Sequence, residues 1–147
     1  MNNNSRLILY IAFLVMGSSI LFACSKPKEG KVVVTEQEFV IRQDSPNAYV
    51  MDAKGKVKNV GEVDVKNVVV TGYCRSCGQT LAPGRWMVSD DIEKTPDQKS
   101  VINYIPVGQE VSFSFRGVAF IYNTVAEEPK EKPEKMEVVI ESFETVE

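Results

Sequence analysis

The chain contains no histidine, a single tryptophan and only three cysteines in 147 residues. Without imidazole it has no histidine metal ligand, no histidine general base and no Ser-His-Asp triad, and it cannot attach haem through a C-x-x-C-H motif. These absences exclude most hydrolase and metalloenzyme mechanisms. Since no pair of carboxylates stands out either, the sequence predicts a protein that is not an enzyme and that needs no cofactor.

An excess of positive charge is also lacking. The chain has 17 basic and 20 acidic side chains, with a formal net charge of −3 at pH 7. Proteins that bind nucleic acids present a dense basic face. The charge balance therefore predicts no nucleic-acid partner.

The first 23 residues are typical of a secretory signal. A polar start with one charge, Arg6, precedes an apolar run from Leu7 to Ala23 that only Gly17-Ser18-Ser19 interrupts. The run is slightly shorter than the roughly 20 residues that cross a bilayer. We predict a signal helix over residues 1–23, whose removal from 147 residues leaves 124, the size of one domain. An uncleaved membrane helix, or a signal removed without lipidation, is the alternative.

The end of this segment, Leu21-Phe22-Ala23-Cys24, resembles the lipobox of bacterial lipoproteins. The resemblance implies that Cys24 carries the lipid as a diacylglyceryl cysteine, with palmitate among its acyl chains. Two chains, at about 0.8 kcal/mol for each buried CH₂, make a stable membrane anchor. Ser25 resembles the residue that directs lipoproteins to the outer membrane. We therefore expect the bacterial cell envelope, and the membrane as a partner through lipidated Cys24.

After a polar tether over residues 24–30, residues 31–147 are expected to form one β domain. Val, Ile, Phe, Thr and Tyr dominate its apolar positions, and Gly, Pro, Asn and Asp interrupt them at close intervals, which is typical of short strands. About seven strands in this length predict an all-β, antiparallel β-sandwich or a small barrel. The predicted strands are Lys31–Arg42, Ala48–Asn59, Val63–Tyr73, Ser100–Ile105, Glu110–Tyr122 and Lys135–Phe143, with a short one over Trp86–Val88.

The segment Ala48–Asn59 shows the clearest alternation. It predicts one buried face and one charged face, as in an antiparallel sheet, the buried positions being Tyr49, Met51, Ala53, Gly55 and Val57. A turn at Asn59–Glu62 should follow, in which Asn and Gly tolerate positive φ. The next strand changes phase, because Val63 and Val65 share one parity and Val68 and Val70 the other. A bulge or strand switch is therefore expected at Lys66-Asn67.

These segments also resemble FxLYD-type domains, which are immunoglobulin-like β-sandwiches common in prokaryotic lipoproteins. The resemblance covers residues 48 to 122. It uses the Gly-x-Val-x-Asn run that ends at Asn59, the turn glycine Gly78 and the Pro-x-Gly-x-Glu run within Ile105–Phe113. At the motif that names the family only Tyr73 matches, and Cys74 stands where an aspartate is expected. The resemblance implies an immunoglobulin-like sandwich that binds or spaces, without catalytic residues.

The remaining two cysteines form the motif Cys74-Arg75-Ser76-Cys77. In an oxidising envelope they could close a structural disulfide that contributes about 2 kcal/mol. A zinc knuckle needs four ligands, so only a second copy could complete it. A redox-active dithiol uses a helix N-terminus to lower the thiol pKa, and the residues after Cys77 do not predict a helix. Free thiols without a role are the fourth reading, and we expect no bound metal.

Aromatic and polar segments give further expectations. Trp86 is expected in the core at a strand start rather than as an exposed recognition aromatic, and Phe113 and Phe115 are expected in the core. Phe120 and Tyr122 have the opposite parity, so they are either core after a bulge at Gly117 or an exposed patch. The acids Asp90, Asp91 and Glu93 lack the spacing of an EF-type loop and predict a solvated face. The Pro/Lys/Glu tract 126–134 should extend into solvent.

Together these observations predict a lipid-anchored envelope protein whose immunoglobulin-like domain is a non-catalytic interaction or spacer module. Its expected partner is an envelope protein, bound through loops at one end of the domain or through an edge strand. The alternative is an envelope thiol-redox or metal-binding protein that uses Cys74 and Cys77.

Overall fold

The computed structural model describes residues 26–88 and 93–146. The predicted signal helix, the lipobox with Cys24, and Asp90 and Asp91 of the acidic loop lie outside the described residues. Within these residues, no helix is long and apolar enough to cross a membrane.

In the described residues six antiparallel strands form two sheets of three. The strand bounds are β1 (Val32–Ser45), β2 (Ala48–Asn59), β3 (Val65–Cys74), β4 (Lys99–Ile105), β5 (Glu110–Tyr122) and β6 (Met136–Thr145). The first sheet has the order β1-β2-β5 and the second the order β4-β3-β6. The two sheets pack face to face, which confirms the prediction of an all-β antiparallel sandwich. A short 3-10 helix, Pro96–Gln98, precedes β4.

The described residues contain six full strands, close to the predicted number of about seven. The segment predicted as a strand over Trp86–Val88 pairs only at Met87, whose backbone exchanges two hydrogen bonds of 2.9 Å with Phe120. On its other side, Gly78 donates to the carbonyl of Trp86 and accepts from Val88. Met87 therefore pairs with one residue on each side, Phe120 and Gly78, and the segment extends the first sheet beyond β5 without forming a full strand.

Side chains of both sheets fill one core between them. In β2 the predicted alternation is confirmed, since Met51, Ala53 and Val57 are buried. Phe113 and Phe115, also correctly predicted, lie beside them on β5 with ring centroids 5.7 Å apart. Each such side chain contributes about 1.5–3 kcal/mol by leaving water. The second sheet contributes Val65, Val68, Val70, Ile105 and Val138.

The phase change in β3 is confirmed at the expected place. Asn67 has a φ of 51°, a left-handed conformation that asparagine tolerates better than most residues. The pairing of β3 with β6 shifts between Lys66 and Val69, so that Val65 and Val68 are both fully buried. The bulge therefore keeps apolar residues of opposite parity in the same core.

A second irregularity occurs in β5 around Gly117, which has a φ of 72°. Met51 pairs with Ala119 and Ala53 with Phe115, so β5 has two extra residues here. Because two residues restore the original parity, the odd-numbered side chains stay inside on both sides of the bulge. Phe120 is only half-buried and Tyr122 is exposed, so the alternative that placed them in the core is wrong.

The outer face of the first sheet carries a ladder of ion pairs between β1 and β2. Glu36 contacts Lys56 at 2.9 Å, and Glu38 contacts Lys54 at 3.1 Å. Each exposed pair contributes only about 0–1 kcal/mol. Their alternation with the buried residues nevertheless fixes the register, since a shift by one residue would bury these charges.

We name the end of the sandwich where the chain enters β1 the N-terminal pole. It consists of residues 26–31, the β2–β3 connection Val60–Asp64 and the β4–β5 turn Pro106–Gln109. The fully buried Asn59 joins the β2–β3 connection to the β4–β5 turn. Its side-chain Nδ2 donates to the carbonyls of Val63 (2.8 Å) and Ile105 (3.0 Å), and its Oδ1 accepts from the Gly61 N–H at 3.0 Å.

The backbone of Asn59 adds two more hydrogen bonds, to Gln109 and from Gly108. The predicted turn is present, but its expected cause is wrong: neither Asn59 nor Gly61 is among the described residues with positive φ. Asn59 turns the chain through its side chain, which joins the β2–β3 connection to the end of β4.

Asp64 at the same pole gives a prediction on pH dependence. Its carboxylate accepts hydrogen bonds from the Tyr104 hydroxyl and from the Val107 N–H (2.9 Å). These bonds hold the pKa of Asp64 below its ordinary value and raise the pKa of Tyr104. A depressed carboxyl pKa stabilises the fold above about pH 3.9, and this contribution is lost as the pH falls through the lower folded-state pKa. Urea midpoints measured from pH 6 downwards should therefore fall in acid less steeply in Asp64→Asn than in the natural protein.

Two further measurements check this pair. Tyr104→Phe removes the same hydrogen bond, so its urea midpoint should also fall less steeply in acid (the acid limb of the pH curve) than that of the natural protein. In the alkaline range, absorbance titration should show one tyrosine with a raised pKa that returns towards the ordinary value in Asp64→Asn. Identical acid limbs in all three proteins would contradict the interaction.

Candidate functional site

The opposite end of the sandwich, the loop pole, brings together the residues that the sequence singled out. It consists of the β1–β2 turn at Pro46-Asn47, the β3–β4 connection (described over 75–88 and 93–98) and the β5–β6 connection 123–135. A backbone hydrogen bond of 2.8 Å from Asn123 to Asn47 joins two of these connections. Since β1 leaves the N-terminal pole and ends here, the two poles lie at opposite ends of the domain.

A disulfide joins Cys74 and Cys77, whose Cα atoms are 5.5 Å apart. Cys74 is the last residue of β3 and is buried against the core, whereas Cys77 is half-buried. The loop that they close is tied to the start of β6, because Arg75 donates to the Lys135 carbonyl and Lys135 N–H donates to Ser76 Oγ. In this position the bond fastens the end of the central strand of the second sheet.

The surroundings of this pair bear on the other readings of the motif. Within 78–88, the chain after Cys77 forms the backbone bridges of Gly78 and Met87, so no helix N-terminus lies next to the sulfurs there. Nor does the part of the chain that the structure describes hold a cluster of three or more metal-binding side chains. A tetrahedral zinc site on this pair would thus need ligands from another source.

Trp86 lies at the surface of the loop pole, half-buried and packed against the core. Its indole Nε1–H donates to the carbonyl of Glu131 at 2.8 Å. The expectation of a core tryptophan therefore holds only for the apolar part of the ring. The polar edge of the ring faces the β5–β6 connection, as is usual for a tryptophan that is partly in contact with water.

Most residues of the tract 126–134 are exposed, as predicted, but hydrogen bonds hold the tract against the domain so that it does not extend away from it. Besides Trp86, Asn123 Nδ2 donates to the Glu127 carbonyl at 2.7 Å, and Lys132 Nζ donates to the Phe39 carbonyl of β1 at 2.5 Å. The tract therefore lies against the domain. Its contacts are made largely by backbone carbonyls, which any residue type supplies.

Between the tract and Trp86 lies an open cleft of about 630 Å³. Trp86, Ile121 and Val125 line it together with Pro83 and Pro129. A volume of this size is in the range of ligand-binding clefts. Leu81 and Val125 at this pole are 75% and 59% exposed, respectively, and Tyr122 is 43% exposed. The charged residues Glu127, Glu128, Lys130, Glu131 and Lys132 of the tract also line the cleft. This end of the domain thus combines an open cleft of mixed polarity with three exposed apolar side chains.

Next to the disulfide, two cations contact the ring of Tyr73. The Arg75 guanidinium lies 4.6 Å and the Lys94 Nζ 4.9 Å from the ring centroid. Arg75 also forms an ion pair of 2.6 Å with Glu137. Burial lowers the pKa of Lys94, and the charge of Glu141 opposes this shift. The cation–π contacts, about 0.5–1 kcal/mol each at exposed sites, fix the first residues of the β3–β4 connection.

The contact of Trp86 with the tract can be tested by proteolysis. Trp86→Phe keeps the apolar ring but removes the N–H donor to Glu131, which should weaken tract docking by about 1 kcal/mol. Trypsin cleavage after Lys130 should then become about fivefold faster, because cleavage follows the population of the undocked tract. Cleavage after Lys28 in the tether serves as the internal control and should not change. Equal rates at Lys130 in both proteins would show that the hydrogen bond does not hold the tract.

Of the residues that the sequence singled out, Cys74, Cys77 and Trp86 lie together at the loop pole, and Cys24 lies outside the described residues. The contacts of Tyr73 with Arg75 and Lys94 were not anticipated. The contact with Arg75 could have been inferred because Arg75 is two residues from Tyr73 in the sequence. The contact with Lys94 could not, because these two residues are far apart in the sequence and are brought together only by folding.

No protein-family model matches the chain, and no curated protein or solved structure is significantly similar to it.

Proposed function

We propose that this chain is a lipid-anchored protein of the bacterial cell envelope whose immunoglobulin-like sandwich is a non-catalytic interaction module. The observation that carries the proposal is the lipobox-like Leu21-Phe22-Ala23-Cys24, with its cysteine eight positions before the first strand residue, Val32. A thioether-bound lipid at Cys24 would hold the sandwich at the membrane, with outer-membrane sorting through Ser25.

The fold supports a binding role at the loop pole. That pole is distant from the end at which the tether joins the domain. It also carries the cleft beside Trp86 and the exposed side chains of Leu81 and Val125. Val125 lines the cleft, and exposed apolar side chains beside a cleft are typical of sites for a protein partner. The disulfide and the docked tract fix the loops around this surface, which lowers the entropic cost of binding.

The anchor is tested by metabolic labelling with a palmitate analogue in cells that produce the full chain. The natural protein should incorporate label and sediment with membranes, and the tryptic peptide that begins at Cys24 should carry the acyl mass. Cys24→Ala should lose all label. Cys77→Ser is the matched cysteine variant and should keep both label and membrane location. Unmodified Cys24 in the natural protein would overturn the proposed anchor.

The binding surface is tested by placing a photo-crosslinking amino acid at Val125 or at Val101 in intact cells. These two valines are almost equally exposed, at 59% and 60%, but only Val125 lies at the loop pole. We expect a discrete crosslinked envelope protein from position 125 and none from position 101. The same pattern from both positions would contradict the loop pole as the partner site.

The second candidate is an envelope thiol-redox protein, and the half-buried position of Cys77 in the disulfide favours it. Alkylation in intact cells followed by intact-mass measurement separates the candidates. A structural disulfide should be found fully oxidised, and Cys74→Ser/Cys77→Ser should keep the crosslink at 125 while losing about 2 kcal/mol of stability. A mixture of reduced and oxidised protein, together with loss of function in the double variant, would favour the redox role.

A further inference from the structure

The N-terminal pole presents two apolar side chains at the tips of its connections. Val60 and Val107 are each 46% exposed. Backbone hydrogen bonds place them beside each other and beside the tether, because Val60 N–H donates to Lys31 and Gly108 N–H donates to Asn59. Isolated exposed valines are ordinary on protein surfaces. These two, in contrast, lie on neighbouring segments at the end from which the chain leaves towards Cys24.

The tether is fixed to the domain almost up to its start. The carbonyl of Glu29 accepts from the Glu62 N–H at 2.8 Å, and Lys31 accepts from Val60 at the same distance. Gly61 packs so closely over this segment that an added Cβ would lie 2.4 Å from the Lys31 nitrogen. Only the chain before Glu29 can therefore extend freely. Glu29 is five positions after Cys24, so the pole lies within about 18 Å of the lipidated sulfur.

The distances favour one orientation of the domain. Strand β5 has 13 residues and separates the two poles by about 40 Å. With a free tether of less than half this length, the N-terminal pole stays near the bilayer. The tether also exposes three lysines, Lys26, Lys28 and Lys31, which anionic headgroups attract. The pole's carboxylates Glu29, Glu62 and Asp64 balance these three charges in number, but Lys26 and Lys28 precede all of them on the free part of the tether and so lie nearest to the lipid.

We infer that the N-terminal pole is a membrane-contacting surface: Val60 and Val107 lie in the headgroup region of the bilayer, the tether lysines lie over lipid phosphates, and the loop pole points away from the membrane. This inference rests on the proposed lipid anchor. It goes beyond that anchor because it assigns the lipid surface as a partner of the folded domain itself and gives the domain a fixed orientation.

The test uses the full lipidated protein, reconstituted in vesicles of phosphatidylethanolamine and phosphatidylglycerol. Val107→Cys introduces a thiol for an environment-sensitive fluorophore, and Leu81→Cys at the loop pole is the matched control. Spin-labelled headgroups should quench the label at 107 several-fold more strongly than the label at 81. A Gly/Ser insertion of about 12 residues after Ser25 adds about 20 Å of reach and should remove most of the difference.

The outcomes separate the inference from the proposal on which it rests. Equal quenching at 107 and 81 in protein whose Cys24 peptide carries lipid would overturn the oriented contact and leave the anchor intact. A Cys24 peptide without lipid, in protein that does not float with the vesicles, would overturn both. Strong quenching at 107 that persists despite the insertion would overturn the short tether as the cause of the orientation.

Discussion

Replacement of Asn59 by alanine is expected to lower the free energy of unfolding by about 4 kcal/mol. The substitution leaves the carbonyls of Val63 and Ile105 and the N–H of Gly61 without their side-chain partner. Each unsatisfied group in a buried place costs about 1–3 kcal/mol. Because Gly61 and Val63 belong to the β2–β3 connection and Ile105 to the end of β4, the substitution should loosen the contact between these two segments at the N-terminal pole. A domain of this size has only about 5–15 kcal/mol of stability to lose.

Urea unfolding followed by tryptophan fluorescence measures this loss. Asn59→Asp sharpens the test, since it keeps the size and the acceptor oxygen but removes the two amide donor bonds. It should destabilise the protein at pH 7 at least as much as alanine does. Asn103→Ala, at an exposed position of β4, is the control and should change stability by less than about 0.5 kcal/mol. A small effect of both Asn59 variants would mean that the buried amide does not hold the pole together.

Gly55→Ala should be the second severe substitution, at about 3 kcal/mol. A Cβ at this position would lie 2.0 Å from the backbone oxygen of Glu36 and 2.8 Å from the Phe113 ring. A flexible side chain could move away, but the Glu36 carbonyl belongs to β1, beside the register shift between Val34 and Glu36. The methyl group must therefore push β1 away from β2 where the irregular pairing brings the backbones close.

Gly78→Ala provides the matched control, because the nearest atom to its added Cβ is the Trp86 carbonyl oxygen at 3.9 Å. Its unfolding free energy should stay within about 0.5 kcal/mol of the natural protein. Amide hydrogen exchange would localise the damage in Gly55→Ala, with faster exchange at the amides of β1 and β2 around the shift. Equal stability of the two alanine variants would disprove the close approach of Glu36.

Much of the fold could be predicted because its signals are local. The alternation over Ala48–Asn59 gave both the bounds and the buried face of β2, and the change of parity around Asn67 gave the bulge in β3. The order of the strands in each sheet could not be predicted, since it depends on pairings between distant segments. The bulge at Gly117 could be predicted only as one of two alternatives, because its two extra residues preserve parity and keep the odd-numbered side chains inside on both sides.

The loop pole could be predicted only in part, for a different reason. The Cys-x-x-Cys motif is visible in the sequence, but it left the disulfide as one of four readings. The docking of the tract on Trp86 depends on the Glu131 carbonyl, which carries no side-chain signature. The burial of Asn59 was likewise hidden, because asparagine before a glycine is equally typical of an exposed turn.

The lysine that reaches from the tract to β1 has a consequence for self-association. Lys132 donates to the carbonyl of Phe39, on a long strand at the margin of its sheet, and the same strand has a register shift near each of its ends. Long, regular edge strands can pair with the same strand of other molecules, and such pairing leads to aggregation. In β1 this edge is irregular at two places and is covered by Lys132 at a third, which should reduce pairing between copies of the protein at high local concentration. Detachment of the tract would then carry a cost in solubility as well as in shape.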